Sequence, residues 1–184
     1  HWAHDPIDHQ SIGSNNIFAV KYDTSGYLFA TSLTSGLHFY NIKQEQASNK
    51  SYFIDANKQI FDGYIQTVFT DKQSNIWMGA QDRLIMWNRN SDKTIYVPCI
   101  LRDGTNISGN ETIRVVNKDD EGKLWVGTSR YGILVLNDKF KTIAQITDSA
   151  QGKRTGLQSQ SINAICRDKD GYNWIGTFRG ICYI

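Results

Sequence analysis

Apolar and polar side chains alternate along this chain in short bursts, and the bursts recur in a fixed order. From Ile113 to Asp119 the segment IRVVNKD alternates as a half-buried strand does, the Asp-x-x-Gly segment turns the chain, and LWVGT follows as a partner strand. A third apolar run, ILVL, comes after a short loop, with a looser one, FKTIAQI, beyond it. The pattern predicts a four-stranded antiparallel meander with tight turns.

This unit occurs four times, marked by DTSGYLFATS (Asp23–Ser32), DKQSNIWMGA (Asp71–Ala80), DDEGKLWVGT (Asp119–Thr128) and DKDGYNWIGT (Asp168–Thr177). Its aromatic residue, Phe29, Trp77, Trp125 or Trp174, returns at intervals of 48, 48 and 49 residues. Ile17, Ile65, Ile113 and Ile162 each stand six residues ahead of the Asp. The third runs are LHFY, LIMW, ILVL and ICYI, the first three followed directly by Asn41, Asn88 and Asn137. SYFIDA, TIYVPCI and FKTIAQI are expected to supply the fourth strands. Two repeats depart from the pattern: the first has Phe29 and Thr31 for Trp and Gly, and the second has Ser74 at the turn glycine.

Both faces of the inner strands carry apolar residues, with Ile162 and Ala164 expected to point one way and Ile165 the other. A sheet buried on both faces lies between two others, so the repeats stack face to face. A four-stranded unit of this length that stacks on its copies is a propeller blade. A solenoid of parallel strands has shorter repeats and no hairpins. The expected fold is therefore all-β, a propeller segment of about four four-stranded blades over roughly 15–60, 63–107, 111–150 and 160–184, with a partial outer strand at 1–7. A seven-bladed ring at this period needs roughly 340 residues, so a larger propeller is expected. Alternatively the N-terminal strand closes the last blade, giving a four-bladed ring or half of an eight-bladed dimer. Otherwise the end blades expose apolar faces to further blades or a second copy of the chain.

Charge and composition narrow the function. Twenty basic against eighteen acidic side chains give +2, and the longest basic run is Lys153–Arg154, which argues against nucleic acid. No apolar run approaches the ~20 residues of a membrane span, and HWAHDPIDHQ lacks a signal-peptide pattern, so no direct membrane insertion is expected from this segment. Cys99, Cys166 and Cys182, spaced 67 and 16 apart, signal neither a disulfide framework nor zinc. Cys166 and Cys182, on the first and third strands of one blade, are expected to stay unbonded.

No catalytic, metal or cofactor site is expected. The four turn Asp residues invite a calcium reading, but after DKDG the twelfth position is Arg179, not Glu, and an Asp accepting turn amides accounts for them. The tryptophans are expected to wedge between blades, with Gly79, Gly127 and Gly176 admitting a close neighbour. His1, His4 and His9 beside Asp5 and Asp8 do not converge on a strand broken by Pro6, and His38 reads as a packed residue. GTSRYG at Gly127–Gly132 lacks nucleophile-elbow spacing.

Loops are more informative. The lead-in to the first strand and the exit from the second share one rim. The lead-ins carry Asn15, Asn16, Tyr64, Glu111 and Gln160; the exits carry Gln81–Arg83, Ser129–Tyr131, and Phe178 with Arg179. Arginine beside exposed aromatics suits a hydroxylated or anionic ligand. The candidate ligand-binding residues are Arg83, Arg130, Tyr131, Phe178, Arg179 and Tyr64, with the three arginines expected to converge on one mouth. On this reading Arg130→Ala and Arg179→Ala weaken binding and leave stability nearly unchanged.

The pattern Ile-x-x-Val/Ile-x-x-Asp, turn, Leu-Trp-Ile-Gly-Thr, Gly-Ile/Leu, best in Ile162–Ile181 and Ile113–Ile133, resembles the two-component regulator propeller repeat. HDPIDHQSIGSNNI resembles that family's inter-blade connector. The resemblance implies the periplasmic sensor part of a hybrid two-component system, with an oligosaccharide as signal and the kinase, receiver and DNA-binding parts elsewhere. A protein-interaction scaffold and, less favoured, a carbohydrate lyase or hydrolase are the alternatives.

Overall fold

The computed structural model describes residues 2–8, 11–32, 36–148 and 156–184, and among these all regular structure is strand. The first repeat forms one antiparallel sheet of β1 (Ile17–Tyr22), β2 (Tyr27–Ser32), β3 (Leu37–Asn41) and β4 (Gln46–Lys50) in sequence order. A two-stranded hairpin, β5 (Phe53–Ile54) and β6 (Ile60–Phe61), follows. The second sheet orders β7 (Ile65–Thr70), β8 (Asn75–Ala80), β9 (Leu84–Asn88) and β10 (Lys93–Val97) likewise. The third comprises β11 (Ile113–Lys118), β12 (Leu124–Thr128), β13 (Ile133–Leu136) and β14 (Thr142–Ile146), and the fourth β15 (Ile162–Arg167), β16 (Asn173–Thr177) and β17 (Gly180–Tyr183). Contacts divide the chain into two compact units, His1–Gln81 with Ile85–Tyr96, and Asp82–Leu84 with Val97–Ile184.

Within each unit, sheets stack through apolar faces. In the first, Phe29 and Leu37 of one sheet pack with Ile65, Val68, Ile76, Met78 and Trp87 of the next. In the second, Ile133 and Val135 pack with Ile162, Ile165 and Ile175, joined by Leu157 from the connecting segment. Burying side chains of this size stabilises by about 1.5–3 kcal/mol each, which is what holds sheet on sheet.

The first strand is not a simple alternation. In all four repeats its register against the second strand shifts just after the isoleucine, between Ile17 and Ala19, Ile65 and Thr67, Ile113 and Val115, and Ile162 and Ala164. This bulge opposes two residues to one and resets the faces. Ile162 and Ile165 therefore enter the same core, while Ala164 is exposed beside Gly176, the reverse of the expected pairing.

The hairpin turns explain the Asp–Trp spacing. One Asp71 oxygen accepts the amides of Gln73 and Asn75 and the other the Trp77 indole N–H at 2.9 Å. Asp168 repeats this with Asp170, Tyr172 and the Trp174 indole at 2.7 Å, and the Trp125 indole reaches Asp119 at 3.0 Å. Where Phe29 replaces Trp, the Ser25 hydroxyl bonds Asp23 instead. The turn glycines Gly26, Gly122 and Gly171 have φ of 93°, 82° and 91°, and Ser74 takes the same left-handed conformation at 62°.

Two further differences from the sequence reading concern edges, and a third concerns one inter-sheet glycine. SYFIDA is not the fourth strand of the first repeat; QASNK is, and SYFIDA starts the β5–β6 hairpin. That hairpin is fastened to the outer strand of the second sheet by the Tyr96 hydroxyl, which donates to the carbonyls of Phe53 and Gln59 at 2.7 and 3.0 Å. Residues 2–8 form no strand: Pro6 has no amide to donate, and Asp5 is tied back to Ser11 through its amide and carbonyl. Gly127 does mark a close approach, since a Cβ there would lie 2.7 and 3.0 Å from Ile162 Cγ2 and Cβ. At Gly176 the nearest atom to an added Cβ would be Ala164 Cβ, at an ordinary 3.4 Å.

Candidate functional site

Lead-ins and exits do share a rim in the second unit. The Ser129 amide donates to the Thr112 carbonyl at 3.2 Å and the Phe178 amide to the Ser161 carbonyl at 3.0 Å, tying each exit to its own lead-in. The Gly132 amide donates to the Gln160 carbonyl at 3.0 Å, joining the third repeat's exit to the fourth repeat's lead-in. At this seam lies an open cleft of about 540 Å³, lined by Arg130, Phe178 and Arg179 together with Arg114, Gln160 and three serines.

The Arg130 loop is built on Glu111, whose side chain is completely inaccessible. One Glu111 oxygen accepts the Ser129 amide, the Ser129 hydroxyl and the Arg130 amide at 2.6, 2.7 and 2.9 Å. The other accepts Arg130 Nε at 2.7 Å, and Arg130 also donates to the Asn110 carbonyl. This carboxylate, first by hydrogen bonding and then by charge, holds the Arg130 pKa above its ordinary value. Burial, then the charge of Glu111, pushes the thiol of the buried Cys99 up to about 12, which disfavours the thiolate.

The candidate residues fare differently. Arg130, Phe178 and Arg179 line the cleft, with Phe178 77% exposed, and Tyr131 stands beside it with its ring 5.6 Å from the Arg130 guanidinium. Arg83 does not line it. Its Nε and a terminal nitrogen close on neighbouring Asp82 at 2.9 and 2.6 Å. Counted back from the third strand, Arg83 occupies the place of Gly132 and Gly180, so it is not the counterpart of Arg130. Tyr64 belongs to the first unit, against Phe18 with ring centroids 6.1 Å apart.

Arg114 is one of the cleft residues the sequence reading passed over, with Asp148, Ser159 and Ser161. It directly follows Ile113 at the bulge, is exposed, and gives one terminal nitrogen to Asn163 Oδ1 at 2.9 Å. Asp148 lines the cleft too and accepts from the Gln160 amide at 2.6 Å.

Elsewhere, a smaller pocket of about 270 Å³ in the first unit lies between the hairpin turns around Asp23 and Asp71. Ser32 and His38 approach to 3.3 Å, but both are essentially inaccessible, so the pair is a packed hydrogen bond and no substrate reaches it. All three cysteines are free, with Cys166 on β15 and Cys182 on β17 to either side of β16. Among the described residues no three His, Cys, Asp or Glu side chains are placed to hold a metal; His1 and His9 lie outside them. No described helix is long and apolar enough to cross a membrane.

These repeats are propeller blades. The chain superposes over 94% of its length, with a TM-score of 0.75 and 17% identity, on the extracellular domain of a putative hybrid two component system of B. thetaiotaomicron, BT4673, covering 22% of that chain. A second such extracellular domain from the same organism, BT3049, matches all of this chain and 28% of its own at a TM-score of 0.58 and 18% identity. The dihydro-heme d1 dehydrogenase NirN matches 94% of this chain and 35% of its own at 0.61 and 11%. The chain thus spans about a quarter of the first two. A comparison with curated proteins found no match. The sequence model of the two component regulator propeller matches residues 156–179, which fall in the fourth repeat and the segment leading into it.

Proposed function

We propose that this chain is the extracytoplasmic, periplasmic sensing segment of a two-component regulator and that its signal is an oligosaccharide bound at the seam between the third and fourth repeats. The carrying observation is the open cleft, which sets the 77% exposed Phe178 ring among serine hydroxyls, the Gln160 amide and arginine forks. Its volume of about 540 Å³ falls within the range of small-ligand sites. A sugar offers an apolar ring face for stacking and hydroxyls at its edge for such donors and acceptors. The match at 156–179 and the likeness to sensor ectodomains support the sensing role.

The test is an oligosaccharide panel titrated against the chain, neutral and acidic, with product analysis of every mixture. Saturable binding that Phe178→Ala weakens at least tenfold, with the sugar recovered intact, is the expected result. Cleaved sugar would move the reading to a lyase or hydrolase; no binding at millimolar concentration would leave a protein-interaction propeller.

A further inference from the structure

Resting on the reading of this cleft as a sugar site, we infer that its ligand carries an acidic group, a carboxylate or sulfate, held by Arg114 and Arg179. The arginines near this rim are not equivalent. The guanidinium of Arg83 is closed on Asp82. Arg130 is held by buried Glu111 and the Asn110 carbonyl, which makes it part of the cleft's frame, with Glu111 as the positioning residue. Arg114 spends one nitrogen on the neutral Asn163 amide, and the Arg179 guanidinium has no partner among the described residues. The one acidic residue lining the cleft, Asp148, is hydrogen-bonded to Gln160. Among the described residues neither Arg114 nor Arg179 is ion-paired, and two arginine charges face the cleft against the single carboxylate of Asp148, whose charge the neutral Gln160 amide does not cancel.

Sugar hydroxyls satisfy guanidinium N–H groups singly and leave the like charges in place. A carboxylate or sulfate takes the planar fork through two oxygens, makes charge-assisted bonds and relieves the repulsion. Arg114 and Arg179 come from different repeats, so an anion between them also spans the seam.

The experiment titrates the whole chain with two matched pairs, trigalacturonate against its methyl ester, and a sulfated galactose oligosaccharide against its desulfated form. The acidic member of at least one pair is expected to bind tenfold or more tightly than its neutral match, and raising salt from ~50 to ~300 mM should shrink that ratio. Arg114→Gln with Arg179→Gln should abolish the preference, while Lys139→Gln, an exposed charge on the β13–β14 turn, should leave it unchanged. Which pair responds separates carboxylate from sulfate. Acidic and neutral members bound alike, or a preference that survives the double variant, overturns the acidic ligand and leaves the sugar reading standing. Absence of binding by every oligosaccharide of the wider panel overturns both.

Discussion

Gly127→Val should destabilise the second unit far more than Gly176→Val, although the two glycines occupy the same place in successive repeats. A Cβ at Gly127 would already lie 2.7 Å from Ile162 Cγ2 and 3.0 Å from Ile162 Cβ, and it would also press on Val115. Those neighbours cannot swing away, because Ile162 Cβ is fixed to its backbone and the side chain is completely buried. Overpacking of this kind costs about 1–3 kcal/mol, and three added carbons put Gly127→Val in the upper half of that range. For a chain of this size that lowers the melting temperature by ~5–10 °C. At Gly176 the nearest atoms all belong to Ala164, its Cβ at 3.4 Å and its backbone N and O at 3.8 and 4.0 Å, which are ordinary contacts, so the same change should stay within about 0.5 kcal/mol. Thermal unfolding of the two variants gives the comparison. Adding Ile162→Ala should cost less in the Gly127→Val background than in the wild type, by at least ~0.5 kcal/mol of coupling. Equal melting temperatures for the two valine variants, or additive behaviour with Ile162→Ala, would refute the sheet-to-sheet contact described here.

Ser74→Gly should stabilise by about 0.5–1 kcal/mol in urea unfolding, because Ser74 holds a φ of 62° that glycine adopts freely, less the entropy glycine adds to the unfolded chain. Glu111→Ala should cost about 1–3 kcal/mol, since it takes the acceptor from the Arg130 amide and the Ser129 hydroxyl and leaves the Ser129 amide only its longer bond to the Thr112 carbonyl. Arg130→Ala should also lower the melting temperature, by leaving the inaccessible Glu111 carboxylate without its cation, whereas Arg179→Ala should leave it unchanged. Burial first, and the nearby charge of His4 second, lower the His38 pKa below 6.5. A lowered folded-state value means the unfolded chain binds more protons, so stability is full above pH 6.5 and falls as the pH drops towards the folded pKa; a melting temperature flat from about pH 7 to 5, or the same slope in His38→Gln, would count against it.

Much of the fold was legible because its determinants are local. Each Asp lies within six residues of the amides and indole it serves, so the four hairpins could be read from short strings. The bulge was not legible, because Ile-x-x-Ile reads equally as a strand with two covered faces, and only pairing with the second strand reveals the extra residue. QASNK carries no apolar period because both its faces are largely open to solvent, and the more apolar SYFIDA beside it drew the assignment. In the candidate site, Phe178, Arg130 and Arg179 followed from loop position. The inward commitment of Arg130 depends on the fully buried Glu111, and burial of a carboxylate leaves no mark on sequence. Arg83 was misplaced because its repeat lacks the glycine before the third strand, which shifts the apparent equivalence of the loop by one.

The most direct test of the sensing cleft is amide hydrogen exchange of the whole chain with and without the tightest-binding oligosaccharide of the panel. The seam predicts slowed exchange across 128–132 and 177–180, with the hairpin turns 23–26 and 71–74 on the first unit's smaller pocket unaffected. Protection confined to those turns, or binding that leaves both exits unchanged, would contradict it.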